Sequence, residues 1–142
     1  MQLEIMRLTM MSKGLYFAYQ KAWRKEHPAS RYDLTPASAL MLRVIIDEIN
    51  AKFWPAMPVK IDNQYFYDTC NFTNRQTVKR NREILIQKGL IDWHPDAAHK
   101  NESGFYKLLW KPDAVKNEID KQIKEYKNVT PTPLELRLVK GS

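Results

Sequence analysis

The sequence predicts an α+β fold in which a helix, a short turn and a second helix precede a β hairpin. The segment Asp62 to Cys70 is typical of a short helix, and Thr73 to Gly89 is typical of a longer one. Two apolar and aromatic runs follow, Leu90 to His94 and Gly104 to Trp110, with a polar, turn-rich stretch between them. We therefore expect a helical core and a small antiparallel hairpin with a long tip.

The longer helix has both of its ends marked in the sequence. Thr73 is expected to cap the free amide groups of the first turn, and Gln76, three residues later, completes a capping box with it. Gly89 stands where a left-handed residue ends a helix. The sequence therefore predicts a helix with well-defined limits at 73 and 89.

This helix is amphipathic, with one side expected to pack and the other expected to face a polar environment. At about 100° per residue, the packing side carries Val78, Asn81, Arg82 and Leu85. The opposite side carries Gln76, Lys79, Arg80, Glu83 and Gln87. Because Arg82 falls on the packing side, we expect it to be a salt-bridge partner. The simplest alternative for the polar side is a surface helix whose charges are merely solvated.

The positive charge of the chain is concentrated in the same helix. The chain has 23 Lys and Arg against 16 Asp and Glu, which gives a net charge of +7. Five basic residues and one acidic residue lie between positions 74 and 88, so +4 of that charge is local. A local excess favours a polyanionic partner over a diffuse effect on solubility.

The segments next to the two helices are expected to complete the same domain. Asp62 is expected to cap the shorter helix, and the connection after it has Asn71 suited to a left-handed turn. Phe72 is expected to point into the core. The short run Val59 to Ile61 is suited to join the hairpin as a third strand.

The N-terminal third of the chain predicts two further helices. Residues 1–12 are rich in apolar residues, with four Met, and fit either a strand or a flexible arm. From Gly14 to about Lys25, helical spacing relates Leu15, Tyr19, Ala22 and Trp23, and this helix is expected to stop near His27-Pro28. Residues 30–34 are expected to be a linker.

The helix after this linker is the expected scaffold of the domain. Thr35 is suited to cap it and Pro36 to occupy its first position, and Trp54-Pro55 is expected to terminate it. The apolar side of this helix is expected to comprise Leu40, Val44, Ile45, Ile49 and Phe53.

The C-terminal part predicts one charged helix and an extended tail. The helix from Asp113 to about Lys127 has a narrow apolar stripe of Val115, Ile119, Ile123 and Tyr126. This stripe either lies against the domain or pairs with the same helix of another chain, which would make the protein self-associate. From Thr130 onward the sequence is typical of an extended tail. We therefore predict three regions, namely 1–34, 35–111 and 112–142.

Residues from about Val59 to Trp110 resemble a winged helix-turn-helix. More narrowly, TVKRNREILIQKGLI with the preceding NFT turn is similar to the N-terminal domain of phage replisome organisers and DnaD-like replication initiators of Gram-positive bacteria and their phages. The similarity extends upstream through YFAYQKAW and LTPASALMLRVIIDEINAKFW, and so covers roughly residues 14–110. It implies a three-helix core with a hairpin wing, origin binding, and a helicase loader or another replisome protein as partner.

The side chains of the basic helix suit double-stranded DNA as ligand. With the start of this helix in the major groove, Gln76 matches an adenine edge and Arg80 a guanine edge, because those edges present the complementary donors and acceptors. Arg75 and Lys79 are expected to contact phosphates or bases. The residues at the helix start and the hairpin tip are expected to contact the DNA backbone. The candidate DNA-binding residues are Thr73, Asn74, Arg75, Gln76, Thr77, Lys79, Arg80, Glu83, His99 and Lys100.

No set of residues in the sequence suggests catalysis. The three histidines, His27, His94 and His99, have no companions at metal-ligand spacing, and there is no nucleophile elbow. We therefore expect no enzymatic activity, no cofactor and no metal. Cys70 is the only cysteine, and neither a membrane-spanning run nor a secretion signal is visible, so we expect a cytoplasmic protein.

Three functional hypotheses follow from the sequence. The first is an origin-binding replication initiation protein of a phage, plasmid or mobile element. The second is a winged-helix transcriptional repressor, which the basic helix alone does not distinguish from the first. The third is a domain of this type that binds protein only, which the concentrated positive charge disfavours.

Overall fold

The computed structural model describes residues 2–55, 57–99 and 102–126, and of residues 2–9 and Tyr126 it describes the backbone. Within these ranges the fold is α+β, with six helices and one small antiparallel sheet. The elements in chain order are α1 (Gln2–Glu26), α2 (Pro28–Arg31), α3 (Pro36–Ala51), β1 (Val59–Asp62), α4 (Asn63–Cys70), α5 (Arg75–Gln87), β2 (Ile91–Pro95), β3 (Ser103–Leu108) and α6 (Asp113–Tyr126).

The chain divides into two compact units. The terminal unit comprises Met1–His27, Ile49–Met57 and Lys111–Ser142, and the central unit comprises Pro28–Glu48 and Pro58–Trp110. The central unit contains α4, α5 and the whole sheet, so the helix–turn–helix and the hairpin belong to one compact body.

In the terminal unit, α6 packs against α1. Val115 is buried, and the buried Gln122 donates a hydrogen bond from Nε2 to the backbone oxygen of Met11 at 3.1 Å. Ile123, in the middle of the predicted stripe, is 37% exposed. The observed partner of α6 is α1, which lies in the predicted region 1–34 and not in the predicted domain 35–111, so this contact is neither of the two predicted uses. Self-association through α6 stays a prediction.

A second set of contacts in the terminal unit involves the end of α3 and the segment that follows it. The side-chain oxygen of Asn50 accepts hydrogen bonds from Ser12 Oγ at 2.9 Å and from Trp54 Nε1 at 3.0 Å. The Trp54 ring stacks on Tyr19 with centroids 5.0 Å apart and an interplanar angle of 5°. Burial raises the pKa of the Tyr19 hydroxyl, which therefore stays neutral.

Two expectations for the N-terminal third are wrong. Residues 2–12 form neither a strand nor an arm but the first turns of α1, because Leu, Met, Gln, Glu and Arg are good helix formers and no proline intervenes before Pro28. The first two residues of the expected linker at 30–34 belong to the short helix α2, which ends at Arg31. The predicted end of the first helix near His27 is confirmed, since α1 ends at Glu26.

The buried side of α3 differs in part from the prediction. Thr35 caps the helix as expected, because its Oγ1 accepts a hydrogen bond from the backbone N–H of Ser38 at 3.1 Å. Leu40 and Phe53, however, are 42% and 43% exposed. Leu40 lies about 180° around the helix from Ile49, and Phe53 follows the end of the helix with φ 60°. The buried residues of α3 within the central unit are Ser38, Ala39, Met41, Leu42, Val44, Ile45 and Ile46.

The sheet confirms the predicted third strand. Its order is β1-β3-β2 with both pairs antiparallel, so that Tyr106 in the central strand lies opposite Val59 on one side and Trp93 on the other. Alternate residues on one face of the sheet are buried, among them Val59, Ile61, Tyr106 and Leu108. This face closes the core of the central unit together with Phe66, whose ring centroid is 5.6 Å from that of Tyr106.

Among the described residues, none of the helices combines the length and the apolar character that crossing a membrane requires.

Candidate nucleic-acid interface

The turn between α4 and α5 has the geometry that the sequence predicts. Helix α4 ends at Cys70, and Asn71 follows in a left-handed conformation with φ 56° and ψ 33°. Asn tolerates this conformation better than most residues. Phe72, the next residue, is buried. A short rigid connection therefore places the first turn of α5 in solvent.

The N-terminal cap of α5 is Asn74, and the prediction of Thr73 was wrong. The Asn74 side-chain oxygen accepts hydrogen bonds from the backbone N–H of Thr77 at 2.9 Å and from the Thr77 hydroxyl at 3.1 Å. Thr73 is exposed and lies one residue before the cap. The predicted capping box with Gln76 is consequently absent, because Gln76 is the second residue of the helix. Asn is at least as good a cap as Thr, so two adjacent candidates competed for one position.

The C-terminal end of α5 is fixed to the hairpin. Gly89 has φ 71°, as predicted, and its N–H donates to the Ile86 oxygen at 3.0 Å. The N–H of Leu90 donates to the Leu85 oxygen at 3.1 Å. This pair of bonds is a Schellman motif, which satisfies the last carbonyl groups of the helix. Since β2 starts at Ile91, the direction of the hairpin relative to α5 is set by these few residues.

The packed side of α5 is the predicted one. Val78 and Leu85 are fully buried, and Asn81 is 5% exposed. Asn81 donates from Nδ2 to the Thr77 oxygen at 2.8 Å and accepts from the Thr35 hydroxyl at 3.4 Å. Because Thr35 also caps α3, this polar contact links the start of α3 to the middle of α5.

The opposite side of α5 is exposed, also as predicted. Gln76, Lys79, Arg80, Glu83 and Gln87 are all exposed, and so is Arg75 in the first turn. Within the part of the chain that the structure describes, Arg75, Lys79 and Arg80 form no ion pair. With Glu83 as its one carboxylate, this surface keeps a net positive charge.

A cleft of ≈ 430 Å³ lies between α5 and the sheet, and we call it the α5–β2 cleft. The residues of α5 that line it are Arg75, Gln76, Lys79, Arg82, Glu83 and Ile86. Trp93 and Ser103 line it from the strands, and Asn63 lines it from α4. Arg80 does not line the cleft, so the basic residues of α5 divide into two groups that face different directions.

Arg82 is held in this cleft by an aromatic ring, and the prediction of a salt bridge was wrong. Its guanidinium carbon lies 3.8 Å from the centre of the Trp93 ring, and Nη1 donates to the Tyr106 hydroxyl at 3.4 Å. No carboxylate among the described residues pairs with it. Burial raises the pKa of Tyr106, against an opposing effect of the Arg82 charge, so the phenol stays neutral and can accept this bond.

Trp93 can take this position because residue 104 is glycine. In the antiparallel register Trp93 lies opposite Tyr106, which makes Gly104 its diagonal neighbour on the same face. A Cβ at Gly104 would collide with Nε1 and Cε2 of the Trp93 ring. The indole N–H is buried and has no acceptor among the described residues. The ring therefore lies directly on the backbone of β3 and presents a face to Arg82.

The hairpin loop between β2 and β3 is held at its base by Asp96. Its carboxylate accepts from the Ala98 N–H and from the Ser103 hydroxyl, each at 3.0 Å, and pairs with Lys60 Nζ at 3.2 Å. The bond from Ala98, followed by those from Ser103 and Lys60, lowers the pKa of Asp96. His99 is exposed, and its backbone N–H donates to the backbone carbonyl oxygen of Asp96 at 3.0 Å. Lys100, the other loop residue expected to bind DNA, lies outside the described residues.

The structure thus places the described candidate residues in four groups. Arg75, Gln76, Lys79 and Glu83 line the α5–β2 cleft, whereas Arg80 projects from the adjacent exposed side. Asn74 and Thr77 form the cap, with Thr73 beside them. His99 lines a different concavity on the surface of the central unit.

Sequence reasoning missed Arg82 and Trp93 as site residues. The signal for Arg82 was its helical spacing. Lys79 and Arg82 follow Arg75 by four and seven residues, which places all three on one flank of the helix. The contact with Trp93 has no local signal, because it depends on the register of the hairpin.

Within the described ranges, no group of three or more His, Cys, Asp or Glu side chains is placed to hold a metal ion. Comparisons with models of protein families, with curated proteins and with solved structures give no match. Function is therefore inferred from the site itself.

Proposed function

We propose that the chain is a sequence-specific double-stranded DNA-binding protein and that its central unit is a winged helix-turn-helix. In this proposal α5 enters the major groove and the hairpin loop is the wing. The observation that carries the proposal is the exposed side of α5, which presents Arg75, Lys79 and Arg80 with amide side chains and a single carboxylate, Glu83. None of the three cations forms an ion pair within the described part of the chain. Such a surface is the electrostatic footprint of a polyanion-binding helix.

The dimensions of α5 suit this role. Its 13 residues form a helix about 20 Å long, and the major groove of B-DNA, about 12 Å wide, admits one helix. The N-terminal turns are the accessible ones, because the other end of α5 is fixed to β2 through Gly89 and Leu90. Gln76 and Arg80, in the first two turns, are the proposed base-reading residues, and Arg80 offers the bidentate fork that guanine accepts.

The remaining contacts are proposed for the DNA backbone. Arg75 and Lys79 face the α5–β2 cleft and would contact phosphates on one side of the groove. On the wing, Asp96 fixes the base of the loop, so His99 is presented by an ordered backbone. Phosphate contacts of this kind set the position of the helix but carry no sequence information.

For the biological role we propose binding to a replication origin of a phage, plasmid or mobile element. This step rests on the resemblance of residues 14–110 to replisome organisers and DnaD-like initiators, which also suggests a helicase loader as partner. We place the protein in the cytoplasm, where origin DNA is replicated and where a single buried cysteine, Cys70, stays reduced.

Selection of bound sequences from random duplex DNA tests the proposal. We expect enrichment of one motif, and in the genome that encodes this chain we expect clustered copies of that motif near replication genes. A single copy that overlaps a promoter would instead indicate repression with the same site. No enrichment, together with no binding of duplex DNA at low salt, would contradict DNA binding altogether.

A further inference from the structure

We propose that the α5–β2 cleft is a phosphate-binding seat in which Arg82, positioned by Trp93, binds one phosphate of the DNA backbone together with Arg75 and Lys79. This inference rests on the proposed function and deepens it. It adds a binding residue, Arg82, and a positioning residue, Trp93, to the residues already proposed to contact DNA.

The three cations lie along one flank of α5. Arg75, Lys79 and Arg82 follow one another at intervals of four and three residues, which places them on adjacent turns of the same side. All three line the one cleft, where Glu83 is the only acidic lining residue among those described. The lining therefore carries a net positive charge at neutral pH.

Arg82 is a cation without an anionic partner among the described residues. It is half-buried, its face is covered by Trp93, and its one hydrogen bond within the described residues is the 3.4 Å bond to the neutral Tyr106 hydroxyl. Partly buried charges are normally paired with an opposite charge, because removing a charge from water is unfavourable. An anion that enters the cleft would supply the missing pairing.

The geometry of a guanidinium favours a phosphate as that anion. The group has five N–H donors in a planar fork, and the fork matches two phosphate oxygens at once. Stacking on Trp93 occupies the face of the plane and leaves its edges available. Because the side chain is already ordered by the ring, less conformational entropy is lost on binding than for an Arg that is free in solvent.

The ring itself is held by the sheet. Trp93 packs on the backbone at Gly104, where any larger residue would displace it. The Trp93 position thus depends on the register of β2 and β3, and the Arg82 position depends on Trp93. The hairpin therefore orients a residue of α5, in addition to any contact of its own with DNA.

The test uses the full chain and a duplex that carries its selected motif. In one duplex after another, a single phosphate is replaced by an uncharged methylphosphonate, and the dissociation constant is measured. We expect one position to weaken binding of the unmodified chain about tenfold, as loss of a charge-assisted contact should. Arg82→Gln should weaken binding about tenfold on every sequence and flatten the salt slope. It should also reduce the sensitivity to that position, although Arg75 and Lys79 still face the same phosphate.

Further variants separate a positioning role from a general loss of structure. Arg80→Gln is the matched control on the same helix, and it should keep the sensitivity to the methylphosphonate. Trp93→Leu should lower affinity although Arg82 keeps its charge, and Trp93→Phe, which retains a ring, should restore most of it. Arg82→Lys should keep the salt slope while losing part of the affinity, because Lys has no planar face to stack.

Two outcomes overturn different statements. If the unmodified chain binds DNA but Arg82→Gln retains its full salt slope and its full sensitivity to the same phosphate, the seat does not exist and DNA binding stands. If the unmodified chain does not bind duplex DNA at any salt concentration, the proposed function fails and the seat fails with it. Thermal unfolding of each variant identifies any that do not fold. If Arg82→Gln or Trp93→Leu does not fold, the binding of Arg82→Lys and Trp93→Phe tests the seat instead.

Discussion

The two exposed sides of α5 carry similar residues but are supported in different ways. On the outward side, Arg80 is exposed and makes no hydrogen bond or ion pair within the described residues. On the side that faces the cleft, Arg82 is stacked on Trp93 and bonded to Tyr106. An unsupported side chain can adapt to a base edge, whereas an ordered one suits a ligand that is the same at every site. Arg80 is therefore expected to read a base, and Arg82, two residues later, to bind a phosphate.

The largest expected effect comes from removing the support that both sides share. Leu85→Ala should lower the free energy of unfolding by about 2 to 5 kcal/mol, because the side chain is fully buried and its loss leaves a cavity. Ile86→Ala is the matched control at the next position, since Ile86 is 38% exposed and its truncation should have an effect of less than about 1 kcal/mol. Urea unfolding measures both. Equal losses would mean that α5 does not pack as described.

Arg80→Ala should weaken binding to the selected motif by about 1 to 3 kcal/mol and relax the preference at one base pair. The reason is that a guanine edge loses its bidentate partner while the backbone contacts remain. A repeated selection with the variant measures the preference at each position. An unchanged motif would remove Arg80 from base readout and would end the distinction between the two sides.

Asn74→Ala should destabilise the start of α5 by about 1 kcal/mol, because the N–H of Thr77 loses its acceptor. Asn74→Asp keeps an acceptor and should be close to the unmodified chain. Thr73→Ala, one residue earlier, should also leave stability unchanged, which makes it the control for the position of the cap. Should Thr73→Ala prove the more destabilising of the two alanine variants, the cap would be at Thr73 after all. Thermal unfolding at neutral pH distinguishes these results.

The smallest expected effect is a pH dependence that is confined to the hairpin loop. The pKa of Asp96 is lowered in the folded chain, so its contribution to stability is complete above the ordinary Asp value of about 4 and disappears as the pH falls through the lowered value. Asp96→Asn should therefore lower the unfolding temperature at pH 7 and lose this effect in strong acid. A difference in unfolding temperature that is independent of pH would contradict this role.

The features that the sequence predicted correctly depend on local signals. Asn71, Gly89 and Thr35 have short-range conformational or capping preferences, and each adopts the expected geometry. The packed side of α5 follows from helical periodicity, since Val78 and Leu85 are seven residues apart. Short apolar runs bounded by turn residues predicted the strands, including the third strand from Val59.

The features that the sequence did not predict depend on competition or on distant contacts. Thr73 and Asn74 are both suited to cap a helix, and α5 starts one residue later than predicted, with Asn74 as its cap. Residues 2–12 have good helix formers but no clear periodic stripe, so the continuous α1 was missed. The stacking of Arg82 on Trp93 joins residues that are close only after β2 and β3 have paired. Long-range register of this kind leaves no pattern in a single sequence.

The salt dependence of affinity, measured on one duplex for the unmodified chain and for two variants, tests the division of α5 most directly. For the unmodified chain we expect the logarithm of the association constant to fall linearly and steeply with the logarithm of salt concentration. Arg75→Ala, which removes a proposed phosphate contact, should flatten that slope by about one. Arg80→Ala should leave the slope unchanged and lower affinity only for the selected motif. Equal flattening by the two variants, or no salt dependence at all, would contradict the account.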